Sequence, residues 1–431
     1  MAENIDDIDT LVIGAGQAGL ATSYWLTHAG IDHLVVDRRD RLGGGWLDRW
    51  DSFCLVAPNF SVLLPGMPYD GPDPDGFMAR DEVVGHVQRY TDTIDAPVRL
   101  STGVQRLTAS DGHLDAHTDD TVLRARNVVL ATGPYPRPKI PAASEGLPGH
   151  VQQLHSHDYR RPDQLADGAV LVVGTGQSGA QIAEELHQAG REVRLAVSMC
   201  PRAPRRYRGH DVIWWLLQVF LHGADHGVPF PTVESLPSPA ARFACQPHAS
   251  GKDGGHDINL RQFAREGIHL YGQLESASGT TVRFSDDLGD RLAFADRWFE
   301  ERFRPMFDAY DAAAGIDAPP DDRPPPADFV PATATELDLA AAGIGAVVWA
   351  TGYRLDFGWV DVPVLDEWGY PRHVRGVTRH PGLYAVGLPW LHSLPSAVFA
   401  GVGPDAAHIV EHIAARRDGS RAVVTGRVDR R

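Results

Sequence analysis

Short apolar runs, each followed by a glycine-rich turn and an amphipathic segment, occur twice along the 431-residue chain. The first begins at residue 9 as DTLVIGAGQAGL, and the apolar run HLVVD follows it at residues 33–37. The second begins at residue 168 as GAVLVVGTGQSGAQIAEELHQAG, and REVRLAVS continues it to residue 198. Apolar runs of this length beside helical periodicity predict strand–helix–strand units with parallel strands. The pattern therefore predicts an α/β protein that contains the same unit twice.

The first glycine-rich turn consists of Gly14, Gly16 and Gly19. Between a strand and a helix, the first glycine permits the tight turn, the second lets a pyrophosphate approach the backbone, and the third allows close packing. The helix N-terminus adds unpaired N–H groups and the positive end of its dipole. Asp37 ends the next strand, where a carboxylate can accept hydrogen bonds from a ribose diol. This turn is predicted to bind FAD or another dinucleotide without a 2′-phosphate.

The second turn has the same spacing, with Gly174, Gly176 and Gly179, but its acidic residue is missing. Ser198 stands close to the position that matches Asp37. Arginines follow it, namely Arg202, Arg205, Arg206 and Arg208. A carboxylate would repel a ribose 2′-phosphate, whereas arginine pairs with it. The second turn is therefore predicted to bind NADPH, although the arginines could also belong to a solvated loop.

Two Rossmann-like dinucleotide-binding domains follow from these turns. The first is predicted to be discontinuous and to contain residues 1–165 and 332–431. The second, residues 166–331, is predicted to be inserted into it and to carry an irregular Trp-, Arg- and His-rich segment around residues 200–260. A proline-rich linker occupies residues 317–331.

Three further segments are predicted from local pattern. The run YRGHDVIWWLLQVFLHG, from Tyr207, has helical spacing and could line a substrate tunnel, form a homodimer interface, touch a membrane surface or belong to the core. Pro404 and Asp405 are typical of a helix start, so a helix is predicted from about residue 404. The tail from Arg416 is predicted to be frayed.

Composition narrows the class of protein. The formal net charge of −16 argues against a nucleic-acid partner, because phosphate contact needs a basic surface. The sequence has no run of about 18 apolar residues, so no membrane span is expected, and MAENIDDIDT is unlike a signal peptide. The three cysteines, Cys54, Cys200 and Cys245, are far apart in the sequence and form neither a CxxC pair nor a metal-ligand spacing. A cytoplasmic protein without a metal site is expected.

With these motifs, the chain resembles the flavin-containing monooxygenase superfamily, and within it bacterial flavoproteins described as involved in potassium transport. The resemblance runs from Leu11 to about Ile413. It rests on GAGQAG and GTGQSG, on GGGW at residues 43–46, on the segments ATG and ATGY, and on HSHDY. Of the superfamily's linker motif between the two domains, only His155 and Tyr159 are matched. The resemblance implies FAD in the first domain and NADPH in the second.

The motifs and the resemblance together predict a set of cofactor-binding residues. Trp46 could pack on the flavin, and the helix starting at Pro404 would point its N-terminus at the flavin O2 side. The full set is Gly14, Gly16, Gln17, Ala18, Gly19, Asp37, Arg38, Gly45, Trp46, Ala131, Thr132, Gly133, Gly174, Gly176, Gln177, Ser178, Gly179, Ser198, Arg202, Arg205, Arg206, Ala350, Thr351, Gly352, Gly387 and Pro404.

The positions of the cysteines limit the reactions that a flavoprotein of this kind can catalyse. Disulfide reductases with two dinucleotide domains need a redox cysteine pair near the flavin, and the sequence shows no close pair. The resemblance instead implies that O₂ forms a flavin C4a-hydroperoxide, which oxygenates a small organic substrate. Asn59 and His392 are candidate catalytic residues, although each could equally be structural. Two alternatives stay open, namely an NADPH-dependent flavin oxidase or dehydrogenase without oxygen insertion, and a non-catalytic FAD/NADPH redox sensor.

Overall fold

The computed structural model describes residues 5–324, 329, 331–332 and 334–417. The strands are, in chain order, β1 (Ile5–Ile13), β2 (His33–Val36), β3 (Leu63–Leu64), β4 (Met67–Pro68), β5 (Val98–Arg99), β6 (Arg106–Ser110), β7 (His113–His117), β8 (Val122–Leu130), β9 (Arg137–Pro138), β10 (Gln152–His155), β11 (Ala169–Val173), β12 (Val193–Ala196), β13 (Arg206–Tyr207), β14 (His210–Asp211), β15 (His269–Tyr271), β16 (Leu274–Ser278), β17 (Thr281–Phe284), β18 (Glu336–Asp338), β19 (Ile344–Trp349), β20 (Tyr353–Arg354), β21 (Val360–Asp361), β22 (His373–Val374), β23 (Val377–Thr378) and β24 (Leu383–Ala385). The α-helices are α1 (Gln17–His28), α2 (Arg80–Thr93), α3 (Gln177–Gln188), α4 (Val212–His222), α5 (Leu260–Glu266), α6 (Leu288–Arg302), α7 (Arg304–Ala314) and α8 (Phe399–Arg417).

The first sheet has ten strands among the described residues, and β1 lies in its middle. Its main path runs β21-β6-β7-β8-β1-β2-β5, and β24 joins it beside β8. β1 pairs in parallel with both β2 and β8, so that Ile13 lies opposite Val36 and Leu130. The carboxyl ends of these three strands therefore meet at one edge, where ligands of open α/β sheets bind.

The second sheet repeats this arrangement with five parallel strands in the order β10-β19-β11-β12-β15. Val173, at the end of β11, lies opposite Ala196 of β12 and Trp349 of β19. The turn that contains Gly174 leaves the sheet at this carboxyl edge. The two predicted strand–helix–strand units are therefore both present, each beside its own parallel sheet.

The second domain is larger than the sequence division predicts. Strands β10 and β19 lie outside residues 166–331, yet both pair within the second sheet. Leu147 and Val151 share a buried cluster with Leu171, which belongs to the same domain. The boundaries at 165/166 and 331/332 are corrected accordingly, and the second domain begins before β10 and ends after β19. Sequence spacing cannot reveal this, because the partner of a parallel strand is chosen by the register of the whole sheet.

The predicted apolar helix after the arginines is α4, and it belongs to the core. Asp211 caps it, since the carboxylate accepts a hydrogen bond of 2.8 Å from the Ile213 N–H. Trp215 is fully buried and packs in one cluster with Phe299 of α6 and Phe307 of α7. Of the four interpretations of this segment, the geometry supports the buried core.

Helix α8 starts five residues earlier than predicted. It begins at Phe399, and Pro404 lies inside it. Proline is common in the first helical turn, which is why the sequence pattern placed the start at Pro404. Proline has no N–H, so at the sixth position of the helix it removes only one intrahelical hydrogen bond. The first four N–H groups of a helix have no intrahelical partner in any case.

Two findings bear on the chain as a whole. Within the described ranges, no helix is both long and apolar enough to cross a membrane. The tail beyond Arg417, which was predicted to be frayed, lies outside the described residues, as do residues 325–328 of the predicted linker.

Candidate functional site

The first glycine-rich turn is pressed against the end of β8. A Cβ atom on Gly14, whose φ is +113°, would stand 2.5 Å from the carbonyl oxygen of Ala131. One on Gly19 would stand 1.8 Å from the Gly14 carbonyl oxygen. By contrast, a Cβ built on Gly16 would meet no atom of the described residues within 4 Å, apart from its own neighbours in the chain. The turn thus needs glycine for packing at two positions, and the third leaves its backbone accessible to a pyrophosphate.

Asp37 fixes this turn to the end of β2. Its Oδ2 accepts a hydrogen bond of 2.8 Å from the Ala15 N–H, and its Oδ1 accepts one of 2.9 Å from the Arg39 N–H. Asp37 is half-buried, and its contact with a ribose stays a prediction. Arg38, the next predicted residue, is exposed.

Gly43–Trp46 forms a second wall of the same site. A Cβ on Gly44 would stand 3.1 Å from the Gly16 Cα, so this loop lies directly on the turn. The Trp46 Nε1–H donates to Gln17 Oε1 over 3.2 Å, and the Gln17 Nε2–H donates to the Ala397 carbonyl over 2.8 Å. These bonds connect the start of α1 with the segment that leads into α8.

The N-terminus of α8 reaches the site through Phe399 rather than Pro404. The Phe399 ring stacks on Trp46 with 5.4 Å between centroids and 4° between planes. A Cβ on Gly387 would stand 2.5 Å from the Ala18 Cβ, so β24 also ends against α1. The prediction that Pro404 stands at this end is wrong, because it lies one and a half turns inside the helix.

Asn59 has its amide bonded to backbone on both sides. Its Nδ2–H donates to the Asp73 carbonyl over 2.9 Å, and its Oδ1 accepts from the Met78 N–H over 2.8 Å. The side chain is buried, and these bonds hold residues 58–78 together. A contact of this amide with a reacting oxygen stays a prediction.

His392 lies in a cluster of titratable groups beside α8. Its backbone N–H donates to Ser396 Oγ over 3.0 Å, while its Nδ1 is buried and has no hydrogen-bond partner among the described residues. Burial lowers the pKa of its imidazole, and the nearby Arg375 acts in the same direction. Asp405, close to Ser396, was not singled out as a titrating group from the sequence. Burial raises the pKa of its carboxyl to about 6.

The second glycine-rich turn copies the packing of the first. Cβ atoms on Gly174 and Gly179 would stand 2.5 Å from the Ala350 carbonyl oxygen and 1.9 Å from that of Gly174. Thr175 Oγ1 accepts a hydrogen bond of 2.9 Å from the Ser198 N–H, which ties the turn to the end of β12. Ser178 follows within the first turn of α3. The two ATG segments thus each abut one glycine turn.

The residues that follow Ala350 in the second ATG segment bond to the chain around β10 and to the segment that leads into it. The Thr351 hydroxyl donates to the Lys139 carbonyl, and the Gly352 carbonyl accepts a hydrogen bond from the His155 Nε2–H over 3.0 Å. The Tyr159 hydroxyl donates to Glu185 on α3 over 2.9 Å. The two residues that match the linker motif, His155 and Tyr159, therefore both make hydrogen bonds that hold the fold together. Thr132 and Gly133 follow β8 at the first turn.

The predicted arginines have separate environments. Arg205 is buried; its guanidinium pairs with Asp211 and donates to the Val56 carbonyl over 2.7 Å. It therefore holds the two domains together, and the prediction that it binds a 2′-phosphate is not supported by this position. Arg206 is exposed. Arg202 pairs with Asp296 over 2.7 Å.

Arg261 shares the carboxylate of Asp296 with Arg202, over 2.8 Å. It lies about 60 residues after Arg202 in the sequence, in the first turn of α5, and no motif marks it. The group of two guanidiniums and one carboxylate is largely buried, and within the part of the chain that the structure describes its ion pairs leave one positive charge unmatched. Only the tertiary structure identifies it as a site where an anion would be favoured.

Residues 245–249 cover the second turn from outside. The Gln177 side chain donates to the Ala249 carbonyl, and the His248 ring Nε2 bonds to the Thr175 carbonyl. Burial lowers the pKa of His248 to about 4, so the ring is neutral at pH 7 and donates through Nε2. The sequence places residues 245–249 in an irregular segment but does not reveal their contact with the turn, because these contacts span more than 70 residues.

The structure also corrects the interpretation of the cysteines. Cys200 and Cys245 are 45 positions apart in the sequence, yet they lie together in the structure, because the Cys200 Sγ stands 3.7 Å from the carbonyl oxygen of Gln246, the residue after Cys245. The statement that the chain has no close cysteine pair is therefore wrong. A segment that folds back can join distant cysteines, and spacing alone does not test this.

The comparisons with known proteins agree with this architecture. A family model described as "Pyridine nucleotide-disulphide oxidoreductase" matches residues 11–216. The uncharacterized oxidoreductase CzcO-like of Geobacillus kaustophilus is 32% identical over 409 residues, covering 94% of this chain and 98% of that protein. The indole-3-pyruvate monooxygenase YUCCA1 of Oryza sativa is 29% identical over 204 residues, which are 44% of this chain and 49% of that protein. A flavin monooxygenase variant from Stenotrophomonas maltophilia has a TM-score of 0.67 at 21% identity, with 96% of this chain and 99% of that chain covered.

The fold and its two glycine turns define a two-dinucleotide-binding-domain flavoprotein, as the sequence predicts. The chain belongs to the CzcO-like oxidoreductases, within the flavin monooxygenase superfamily. The resemblance based on GAGQAG, GTGQSG and ATGY is thereby confirmed.

Proposed function

We propose that this oxidoreductase is a monooxygenase that binds FAD at the Gly14–Gly19 turn and NADPH at the Gly174–Gly179 turn. The contrast between the ends of β2 and β12 carries the proposal. Asp37 offers a carboxylate beside the first turn, whereas Ser198 offers a hydroxyl beside the second. A carboxylate suits a ribose diol, and its absence leaves a place for a 2′-phosphate.

Positive charge near the second turn supports NADPH over NADH. Arg202 follows Ser198 and shares Asp296 with Arg261, so the group keeps one unmatched positive charge. A phosphate would complete it with charge-assisted hydrogen bonds. Arg206 lies four positions after Arg202 and is exposed, so it is available for a further contact with the phosphate.

FAD fits the residues around the first turn. Gly14 and Gly44 bring two backbone segments so close that any side chain would fill the cradle, and the start of α1 presents N–H groups there. Gln17 and Trp46 fix the start of α1 relative to α8, whose positive N-terminal end favours negative charge nearby. Bound FAD would supply the transfer of electrons from NADPH to O₂. The part of this chain is to bind, to orient and, through the Trp46–Phe399 stack, to exclude water.

Oxygen isotope incorporation tests the proposal. The holoprotein would be supplied with NADPH and ¹⁸O₂ in the presence of small sulfides, amines or ketones, while NADPH, O₂ and H₂O₂ are measured. Incorporation of one ¹⁸O atom into product for each NADPH consumed is the expected result. Release of H₂O₂ equal to the NADPH consumed, with every compound, would identify an oxidase. Failure of NADPH to reduce the flavin would leave the redox-sensor interpretation.

Two coarser expectations accompany this function. A cytoplasmic location stays an expectation, which fractionation of cells would test. A homodimer is a further expectation, and sedimentation equilibrium of the holoprotein would give twice the chain mass if it forms.

A further inference from the structure

The thiols of Cys200 and Cys245 form a contact pair in the second domain. Cys200 is only 1% exposed and follows β12, and its Sγ also lies 3.7 Å from the Gln246 carbonyl oxygen. Cys245 is half-buried. The segments that carry the two cysteines run side by side, since the His248 N–H donates to the Pro201 carbonyl over 2.9 Å, and both cysteines are present as thiols.

The pair lies against the turn at which the proposed function places NADPH. A Cβ atom built on Gly176 would stand 3.8 Å from the Cys245 Sγ. Apart from the neighbours of Gly176 in the chain, no other heavy atom of the described residues comes within 4 Å of that position, which is where a pyrophosphate would approach the backbone. The corresponding position at Gly16 in the first turn has no such neighbour.

The segment that carries Cys245 is also bonded to the turn itself. His248 bonds to the Thr175 carbonyl, and Ala249 exchanges bonds with the Gln177 side chain, three and four residues after Cys245. These bonds connect the segment of Cys245 to the residues on both sides of Gly176.

We propose that Cys200 and Cys245 form a dithiol–disulfide couple that controls nicotinamide-nucleotide binding at the second turn, with a hydroperoxide as oxidant. The inference rests on the proposed function in one respect, namely that this turn binds NADPH. Oxidation would join the sulfurs at about 2.05 Å, much closer than two non-bonded sulfurs approach. Because Cys200 is fixed in the core, Cys245 moves toward it and draws residues 245–249 out of their register on the turn.

The two thiols have different roles in this oxidation. The neighbouring Cys200 lowers the pKa of the Cys245 thiol, whereas burial raises the pKa of Cys200. The Cys245 thiolate attacks hydrogen peroxide, forming an S–O bond and breaking the O–O bond, so that sulfenic acid and hydroxide result. The Cys200 sulfur then attacks the Cys245 sulfur, an S–S bond replaces the S–O bond, and water leaves. Two thiols lose two electrons in total, and one peroxide becomes two water molecules.

The test compares reduced and peroxide-treated holoprotein. Peptide mapping by mass spectrometry would locate any disulfide, and fluorescence titration would give the Kd for NADPH. Oxidation is expected to produce the Cys200–Cys245 disulfide and to raise that Kd about tenfold, with recovery after dithiothreitol. In Cys200→Ser no intramolecular disulfide forms, and in Cys245→Ser the Kd no longer responds to peroxide.

Cys54→Ser is the matched control, because Cys54 is the remaining cysteine and lies in the first domain, half-buried, where burial raises its pKa to about 11. This variant is expected to respond to peroxide as the parent chain does. An unchanged Kd in protein that carries the disulfide would overturn the proposal, and so would the absence of the disulfide. Reduction of the disulfide by NADPH alone would identify a catalytic dithiol and overturn the switch. If the reduced protein fails to bind NADPH at all, the proposed function fails instead.

Discussion

Asp405 shows how far a single residue can depart from its ordinary chemistry in this fold. Its carboxyl group is 3% exposed, and Oδ2 has no hydrogen-bond partner among the described residues. Burial raises the pKa from its ordinary 3.8 to about 6, against the opposing effects of Ser396 and Arg375. The folded state therefore binds this proton more tightly than the unfolded chain does, and that contribution to stability is lost as the pH rises from 4 through 6.

Replacement of Asp405 by Asn should stabilise the protein above pH 6 and have less effect near pH 4. The shift of about two units corresponds to roughly 3 kcal/mol at neutral pH. Urea unfolding of the holoprotein at pH 4.5 and pH 7.5 would measure the difference. Glu411→Gln, at an exposed position of the same helix, is the control and should not reproduce the pH dependence. An equal effect of Asp405→Asn at both pH values would contradict the assignment.

Arg202 carries the expected preference for NADPH. Arg202→Ala removes one guanidinium of the group around Asp296, so the KM for NADPH should rise about tenfold while that for NADH changes little. Steady-state kinetics with both nucleotides gives the comparison. Arg297→Ala, which breaks an exposed pair with Glu301 beside Asp296 on α6, is the matched control. Equal changes for NADPH and NADH would mean that no 2′-phosphate is bound there.

At the scale of elements, α4 illustrates what pattern can and cannot establish. The spacing of its apolar residues predicts a helix, and Val212–His222 is one. The same spacing is compatible with a membrane surface, an interface or a core. Only the packing of Trp215 against Phe299 and Phe307 distinguishes them, because the residues it contacts belong to α6 and α7.

Trp215→Ala and Trp214→Ala should therefore differ strongly. Trp215 is fully buried, and its Nε1–H donates to the Tyr207 carbonyl over 2.8 Å, so its removal should cost about 3–5 kcal/mol. Trp214 is half-buried and stacks on His210, and its loss should cost about 1 kcal/mol. Midpoints of chemical unfolding would rank the two variants. The reverse order, or a change in association state without loss of stability, would favour an interface.

The whole molecule separates its two nucleotide turns into different sheets, and this separation makes them independently testable. Gly16→Ala introduces a Cβ that meets no protein atom within 4 Å, and Gly176→Ala introduces one in ordinary contact with Cys245. Both variants should fold. The first should lose FAD, whereas the second should keep FAD and raise the KM for NADPH about tenfold.

Flavin absorbance per chain, steady-state kinetics and circular dichroism would measure these outcomes. If Gly16→Ala impairs NADPH binding while FAD content stays the same, the two cofactors must be exchanged between the turns.

The local sequence pattern was sufficient to predict those elements whose structure depends on neighbouring residues in the sequence. The glycine turns, α4 and the parallel pairing of β1 with β2 were all predicted from short windows. The start of α8 was misplaced because Pro404 is also tolerated inside a helix near its N-terminus. The candidate site was predicted where motifs mark it, as at Gly14 and Asp37.

What the sequence alone determined is thus the presence of two strand–turn–helix units and the chemical contrast between Asp37 and Ser198. The tertiary structure decided which strands complete each sheet, that Arg205 joins the domains, and that Cys200 lies against Cys245. The physical reason is the range of the interactions. Turn geometry and helical periodicity act over a few residues, whereas strand register, shared carboxylates and thiol contacts depend on segments that meet only after folding.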